Sequence, residues 1–283
     1  ARQLRIEYPG AIYHVTVRGN ARQDIFADTH DRERFLRRLS ESVETYGVRL
    51  YLFCLMPNHV HLVLETPSAN LSRFMQSLET GYTVYYNLRH GTVGHLFQGR
   101  YKAKPVEGDA YLLRLSRYVH LNPVKTERPD RLSLQQRAAR LRRYPWSSYR
   151  SYIGAEEELD FVTYGPVLAM EGEGTRRKHR YRNYVEAGLA KDDDEFLAVL
   201  NASSEAIGGE AFRVQVKAVC AGLQGKAARP EDVSFRQEVP SVDSEQVLET
   251  TCRHLGVCQA DLLVKRRNSM LRPIAAMMLA KYA

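Results

Sequence analysis

The chain has 283 residues, 44% of them hydrophobic, and a formal net charge of +8, a length that suggests two domains and perhaps a smaller third piece around a real core. No apolar run approaches the ~20 residues that span a bilayer, and the opening ARQLRIEYPG lacks the apolar centre of a secretory signal, so a soluble cytoplasmic protein is expected. The four cysteines include no CxxC pair, which argues against a zinc ribbon or a redox motif.

AIYHVTVR, residues 11–18, alternates along its length and predicts a strand ended by the turn pair Gly19-Asn20. Asp28 and Thr29 offer caps for a helix whose Phe35, Leu36, Leu39 and Val43 keep helical spacing up to Gly47. Two apolar runs, VRLYLFCLM and HVHLVLE, break at Pro57-Asn58 and predict a hairpin of neighbouring strands. A second helix opens near Asn70, carries Leu71, Phe74, Met75, Leu78 and Tyr82, and stops around His90-Gly91. RYKAKPV, residues 100–106, is short and extended, and Asp109 can cap a third helix expected to end at Leu121, just before Asn122-Pro123. The order β-α-β-β-α-β-α is the split βαβ pattern of a ferredoxin-like α+β sheet with one extra helix.

Charge is distributed unevenly beyond these elements. Residues 1–150 hold 24 Lys and Arg against 13 Asp and Glu, residues 151–250 hold 11 against 19, and residues 251–283 hold 6 against 1. Basic ends joined by an acidic middle point to two surfaces that meet phosphates and one that does not. The expected organisation is a catalytic domain over 1–154, an acidic helical connector over 155–240, and a helical segment over 241–283. In that last segment, short helices with the basic link Lys265-Arg266-Arg267 fit a helix-turn-helix type module.

Two pairs of residues carry the chemistry. His59 and His61 in MPNHVHLVLE stand two apart on a strand, so both imidazoles project from one face. Tyr118 and Asn122 in RYVHLNP stand four apart on a helix and share one stripe. Two ring nitrogens and an amide oxygen suit a divalent cation, Mg²⁺ or Mn²⁺, and imidazole favours the latter. A phenol is a poor nucleophile at its usual pKa of about 10, so cations such as Arg117 and Lys102 are expected to favour its ionised form. His14, His95 and His120 are read as structural or surface groups. Tyr85, Tyr86 and Tyr111 are rival nucleophiles, but none has a ligand four residues on within an Asn-Pro helix end.

GAIYHVTVRGNARQDIF, LMPNHVHLVLE, GHLFQGRYKA and YLLRLSRYVHLNPVK resemble, in order and spacing, the single-tyrosine HUH transposases, and are most similar to the branch associated with repetitive extragenic palindromes (REPs). The resemblance covers roughly residues 5–154. It implies a ferredoxin-like nuclease that nicks and transfers strands of single-stranded DNA folded into a REP hairpin, as a monomer or homodimer in the cytoplasm and at the nucleoid. Carried over, His59 and His61 would be the metal pair and Asn122 would occupy the third-ligand position, where some relatives have Gln. Tyr118 would form a 5′-phosphotyrosine and free a 3′-hydroxyl. Arg100, Lys102 and Lys104, alternating on a strand edge, are candidates for phosphate contacts, with Arg18 and Arg22 near the first turn. The stretch CRHLGVCQADLLVKRRNSMLRPIAAMMLAKYA resembles the start of the DNA-binding domain of the bacterial replication initiator DnaA.

Two other readings compete. A non-catalytic ferredoxin-like nucleic-acid-binding protein would present strand aromatics to bases, but its glycine-aromatic signature is missing here. A relaxase or replication-initiator nuclease could use the same histidine pair. Such enzymes usually add a third histidine or an attached helicase, and the chain has no GxxxxGK[ST] loop.

Overall fold

A computed structural model describes residues 6–125, 132–203, 205–224, 244–255 and 257–258. Four strands, β1 (Ala11–Arg18), β2 (Arg49–Met56), β3 (His59–Thr66) and β4 (Lys102–Pro105), form one sheet in the order β2-β3-β1-β4. All neighbours pair antiparallel. Helices α1 (Thr29–Tyr46) and α2 (Leu71–His90) make the two crossovers, and α3 (Gly108–Lys125) follows β4. This is the ferredoxin-like α+β order expected from the sequence.

The helix ends follow local chemistry. Asp28 accepts from the Asp31 amide and caps α1, and Gly47 closes that helix in the left-handed conformation. Gly91 closes α2 in the same way. The expected stop of α3 at Leu121 is corrected, since the helix continues through Pro123 to Lys125. Pro123 has no N–H for the Val119 carbonyl four residues back. The Asn122 side-chain Nδ2 donates to that carbonyl at 3.3 Å and to the Tyr118 carbonyl at 2.9 Å, which repairs the missing bond.

Helices α1 and α2 pack against each other on one side of the sheet. Tyr13, Val15 and Val17 of β1 alternate with His14, Thr16 and Arg18, and the first three are at most 2% exposed. Val60, Leu62 and Leu64 of β3 stand opposite them and are fully buried. Backbone from outside the sheet meets both edge strands. Leu55 N–H donates to the Trp146 carbonyl beside β2, and Val106 and Ile207 form a parallel bridge at the end of β4.

The residues fall into two compact units, one of 5–220 and one of 1–4 with 221–283. Residues 155–220, expected as part of a connector, therefore share a unit with the sheet. Helices α4 (Leu134–Arg143) and α5 (Tyr149–Tyr152) precede this stretch, which holds α6 (Gly165–Ala169), α7 (Arg177–Ala187) and α8 (Asp194–Ala202). Val167, Leu168, Tyr181, Val185, Phe196 and Leu200 join the same buried cluster as the strands. In the other unit a helix spans Ser244–Leu255. The link Lys265-Arg266-Arg267 and the run that resembles DnaA from residue 259 onward lie outside the described residues. No described helix is long and apolar enough to cross a membrane.

Candidate active site

The strand register builds the site on the face opposite the apolar one. Arg18 pairs with His59, Thr16 with His61, and Thr16 with Lys102 on the other side, so all of these side chains leave the sheet together. The His59 and His61 rings meet with centroids 4.9 Å apart. Helix α3 crosses this face and sets the Tyr118 ring edge-on to His61 at 6.1 Å and to His14 at 6.2 Å between centroids. Tyr118, His59 and His61 are thus gathered from a helix and a strand far apart in sequence.

Each of the two imidazoles is oriented by one neighbour. His14 Nε2 lies 2.9 Å from His61 Nδ1, which fixes that ring and leaves His61 Nε2 buried without a hydrogen-bond partner. Asn58 Oδ1 lies 2.7 Å from His59 Nδ1 and orients the second ring in the same way. Burial, and then Arg18, lower the His59 pKa to about 4. His61 is lowered further by burial and by its neighbours His14, His59 and Arg18. Both rings are neutral at pH 7, with lone pairs available to a metal. A divalent cation fits two of the expected donors, an orphaned buried nitrogen and a second oriented imidazole, while the Asn122 amide nitrogen is spent on its own helix backbone. Among the described residues no group of three or more His, Cys, Asp or Glu is poised to hold a metal.

Burial raises the Tyr118 pKa, and the Arg18 guanidinium opposes that rise. Lys125, two turns further along α3, holds its Nζ 5.4 Å from the centre of the Tyr118 ring. The cations expected to serve the phenol are placed differently. Arg117 pairs with Asp193 and lies over the Tyr184 ring, and Lys102 is exposed on the edge strand. The rival Tyr85 is spoken for, since its hydroxyl donates to Asp31.

Among the phosphate candidates, Arg18, Arg22 and Arg100 are exposed. Lys104 Nζ donates to the Leu200 carbonyl at 2.7 Å, so its charge is partly engaged. Arg22 sits in a turn with left-handed backbone at both Ala21 (φ 49°) and Arg22 (φ 62°), which is unfavourable for residues with a Cβ. Asn58 Nδ2 donates to the Arg22 carbonyl and ties this turn to the β2–β3 hairpin. A Cβ on Gly19 would stand 2.1 Å from the Gln23 carbonyl oxygen, so only glycine lets the turn close.

Four contributing residues escaped the sequence. His14 was set aside as structural or surface, yet strand alternation already put it on the face of Thr16 and Arg18. Lys125 carries the helical signal of spacing seven from Tyr118. Asn58 and Asp193 carry none, because their roles depend on a turn conformation and on a distant helix.

Residues 8–122 match the family model described as "Transposase IS200 like". Among solved structures, a REP-associated tyrosine transposase bound to a REP hairpin is similar at 15% identity, with 59% of this chain and 93% of that one covered and a TM-score of 0.44. A putative transposase from Deinococcus radiodurans is similar at 18% identity, covering 42% of this chain and 95% of that one with a TM-score of 0.31. Among curated proteins none matches.

Proposed function

From the match of residues 8–122 to the IS200-like transposase model, we propose that the chain nicks single-stranded DNA folded into a REP-type hairpin and transfers the cut strand through a 5′-phosphotyrosine at Tyr118. One observation carries this reading: the Tyr118 ring rests against His61, whose Nε2 is buried and unpartnered. The hairpin is proposed from the palindrome-associated motifs of the sequence.

The Tyr118 oxygen attacks the phosphorus and the bond to the 3′-oxygen breaks, so that this oxygen leaves as a 3′-hydroxyl once protonated. The phenol passes its proton to solvent, the departing 3′-oxygen takes one from solvent, and Arg18 is the charge that favours the phenolate against burial. Because the phosphate ester persists on the protein, an incoming 3′-hydroxyl can displace Tyr118 and reseal the strand without ATP. His59 and His61, with Asn122 as third ligand, would hold Mg²⁺ or Mn²⁺, which when bound would neutralise charge on the phosphate oxygens. His14 and Asn58 position the two imidazoles. Arg18, Arg22, Arg100 and Lys102 would contact flanking phosphates.

The test is to incubate labelled single-stranded hairpin DNA with the wild type and Tyr118→Phe, with and without Mn²⁺. Wild-type cleavage and a denaturation-resistant protein–DNA adduct are expected, with both lost in the variant. Equal cleavage by Tyr118→Phe would overturn the assigned nucleophile.

A further inference from the structure

The basic side of α3 next to Tyr118 is already occupied by carboxylates. Asp193 pairs with both Arg114 and Arg117, Glu195 lies 3.1 Å from Arg114, and Asp192 lies 3.1 Å from Lys125. These acids come from the run KDDDE, residues 191–195, at the start of α8. Phe196 follows and packs its ring 6.2 Å from Tyr118. A small cleft lies between α3 and α8, lined by Arg114, Arg117, Tyr118, Lys125 and Asp193 among others. The run lies outside the segment that matches the transposase family, which ends at residue 122.

Three cations along one helix face, at positions 114, 117 and 125, stand on both sides of Tyr118 along the helix. Asp193 accepts from two guanidinium groups at once, as a phosphate oxygen pair would. Its carboxyl is held down to about 2, by Arg114 first, so the charge persists at any working pH. Asp192 and Glu195 sit at the rim with side chains 61% and 82% exposed, so little burial holds them in place.

We infer that the Arg114–Arg117–Lys125 face is a second phosphodiester-binding site, flanking the scissile phosphate, and that Asp192, Asp193 and Glu195 occupy it as an internal competitor that the DNA strand displaces. The inference rests on the function proposed above. Asp193 also caps α8 by accepting from the Phe196 amide, and Asn retains that ability while losing the charge.

The experiment titrates the full chain against a fluorescent single-stranded hairpin in EDTA, where binding is read without cleavage. Asp193→Asn is expected to bind about fivefold tighter than the wild type, with a steeper salt dependence. Asp194→Asn makes the same charge change one residue away, outside these ion pairs, and is expected to stay within about twofold. Should Asp193→Asn lower the melting temperature, the rim variant Asp192→Asn/Glu195→Gln gives the same reading and is expected to bind about threefold tighter. If neither variant gains over Asp194→Asn while the wild type cuts the hairpin, the inference falls and the function stands. If neither gains and the wild type does not cut, both fall.

Discussion

The two faces of the sheet are made by the same strands, one residue out of phase, and they handle polarity in opposite ways. On one face Tyr13, Val15, Val17, Val60, Leu62 and Leu64 are buried in an apolar layer. On the other, His14 and His61 are almost as buried, at 7% and 5% exposure, yet they are imidazoles held neutral by their surroundings. Burying such groups is costly unless each nitrogen has a partner. The His14–His61 bond settles one such debt and leaves His61 Nε2 open. An apolar face stabilises by area, whereas the histidine face gives up stability by leaving one buried lone pair without a partner.

Substitutions on the two faces should therefore separate fold from chemistry. Leu62→Ala, on the apolar face, removes a fully buried side chain and is expected to cost about 3 kcal/mol in urea unfolding. Its cleavage per folded molecule should stay near that of the wild type, and a collapse of activity at intact stability would blur the distinction. His14→Ala, on the other face, is expected to weaken Mn²⁺ binding by about thirtyfold in calorimetric titration, because the His61 ring loses its orienting partner. Unchanged Mn²⁺ affinity would reduce His14 to packing.

The smallest effect concerns a buried histidine that serves the fold alone. His120 lies between the Tyr181 hydroxyl and Ser148 Oγ, and burial lowers its pKa to about 3. The unfolded chain takes up that proton near pH 6.5, so the stability His120 contributes is full above pH 6.5 and is lost as pH falls towards 3. The loss is about 1.4 kcal/mol per pH unit in that window. Chemical unfolding at pH 7 and pH 5.5 should show a shallower acid loss in His120→Gln than in the wild type, and equal slopes would contradict the assignment.

Much of this was legible in the sequence. Alternation in AIYHVTVR and the spacing of His59 and His61 gave the strands and the common direction of the two rings, and spacing four gave the Tyr118–Asn122 stripe. The end of α3 was misplaced because Pro normally stops a helix, and the rule does not foresee an Asn122 amide that replaces the missing N–H. The role of His14 was hidden because it depends on which strand lies beside β1, a pairing across 47 residues. The packing of 155–220 was hidden for another reason: its buried residues, such as Tyr181, Val185 and Phe196, are few and set among charges that read as a solvated surface.

The proposed chemistry comes down to which side chain would carry the DNA after cleavage. Trypsin would release Tyr118 in the peptide YVHLNPVK, ending at Lys125. Mass spectrometry of the digested adduct, after nuclease trimming, should find a 5′-nucleotide phosphate on that peptide. The same mass on a peptide holding Tyr85, Tyr86 or Tyr111, with YVHLNPVK unmodified, would contradict the account.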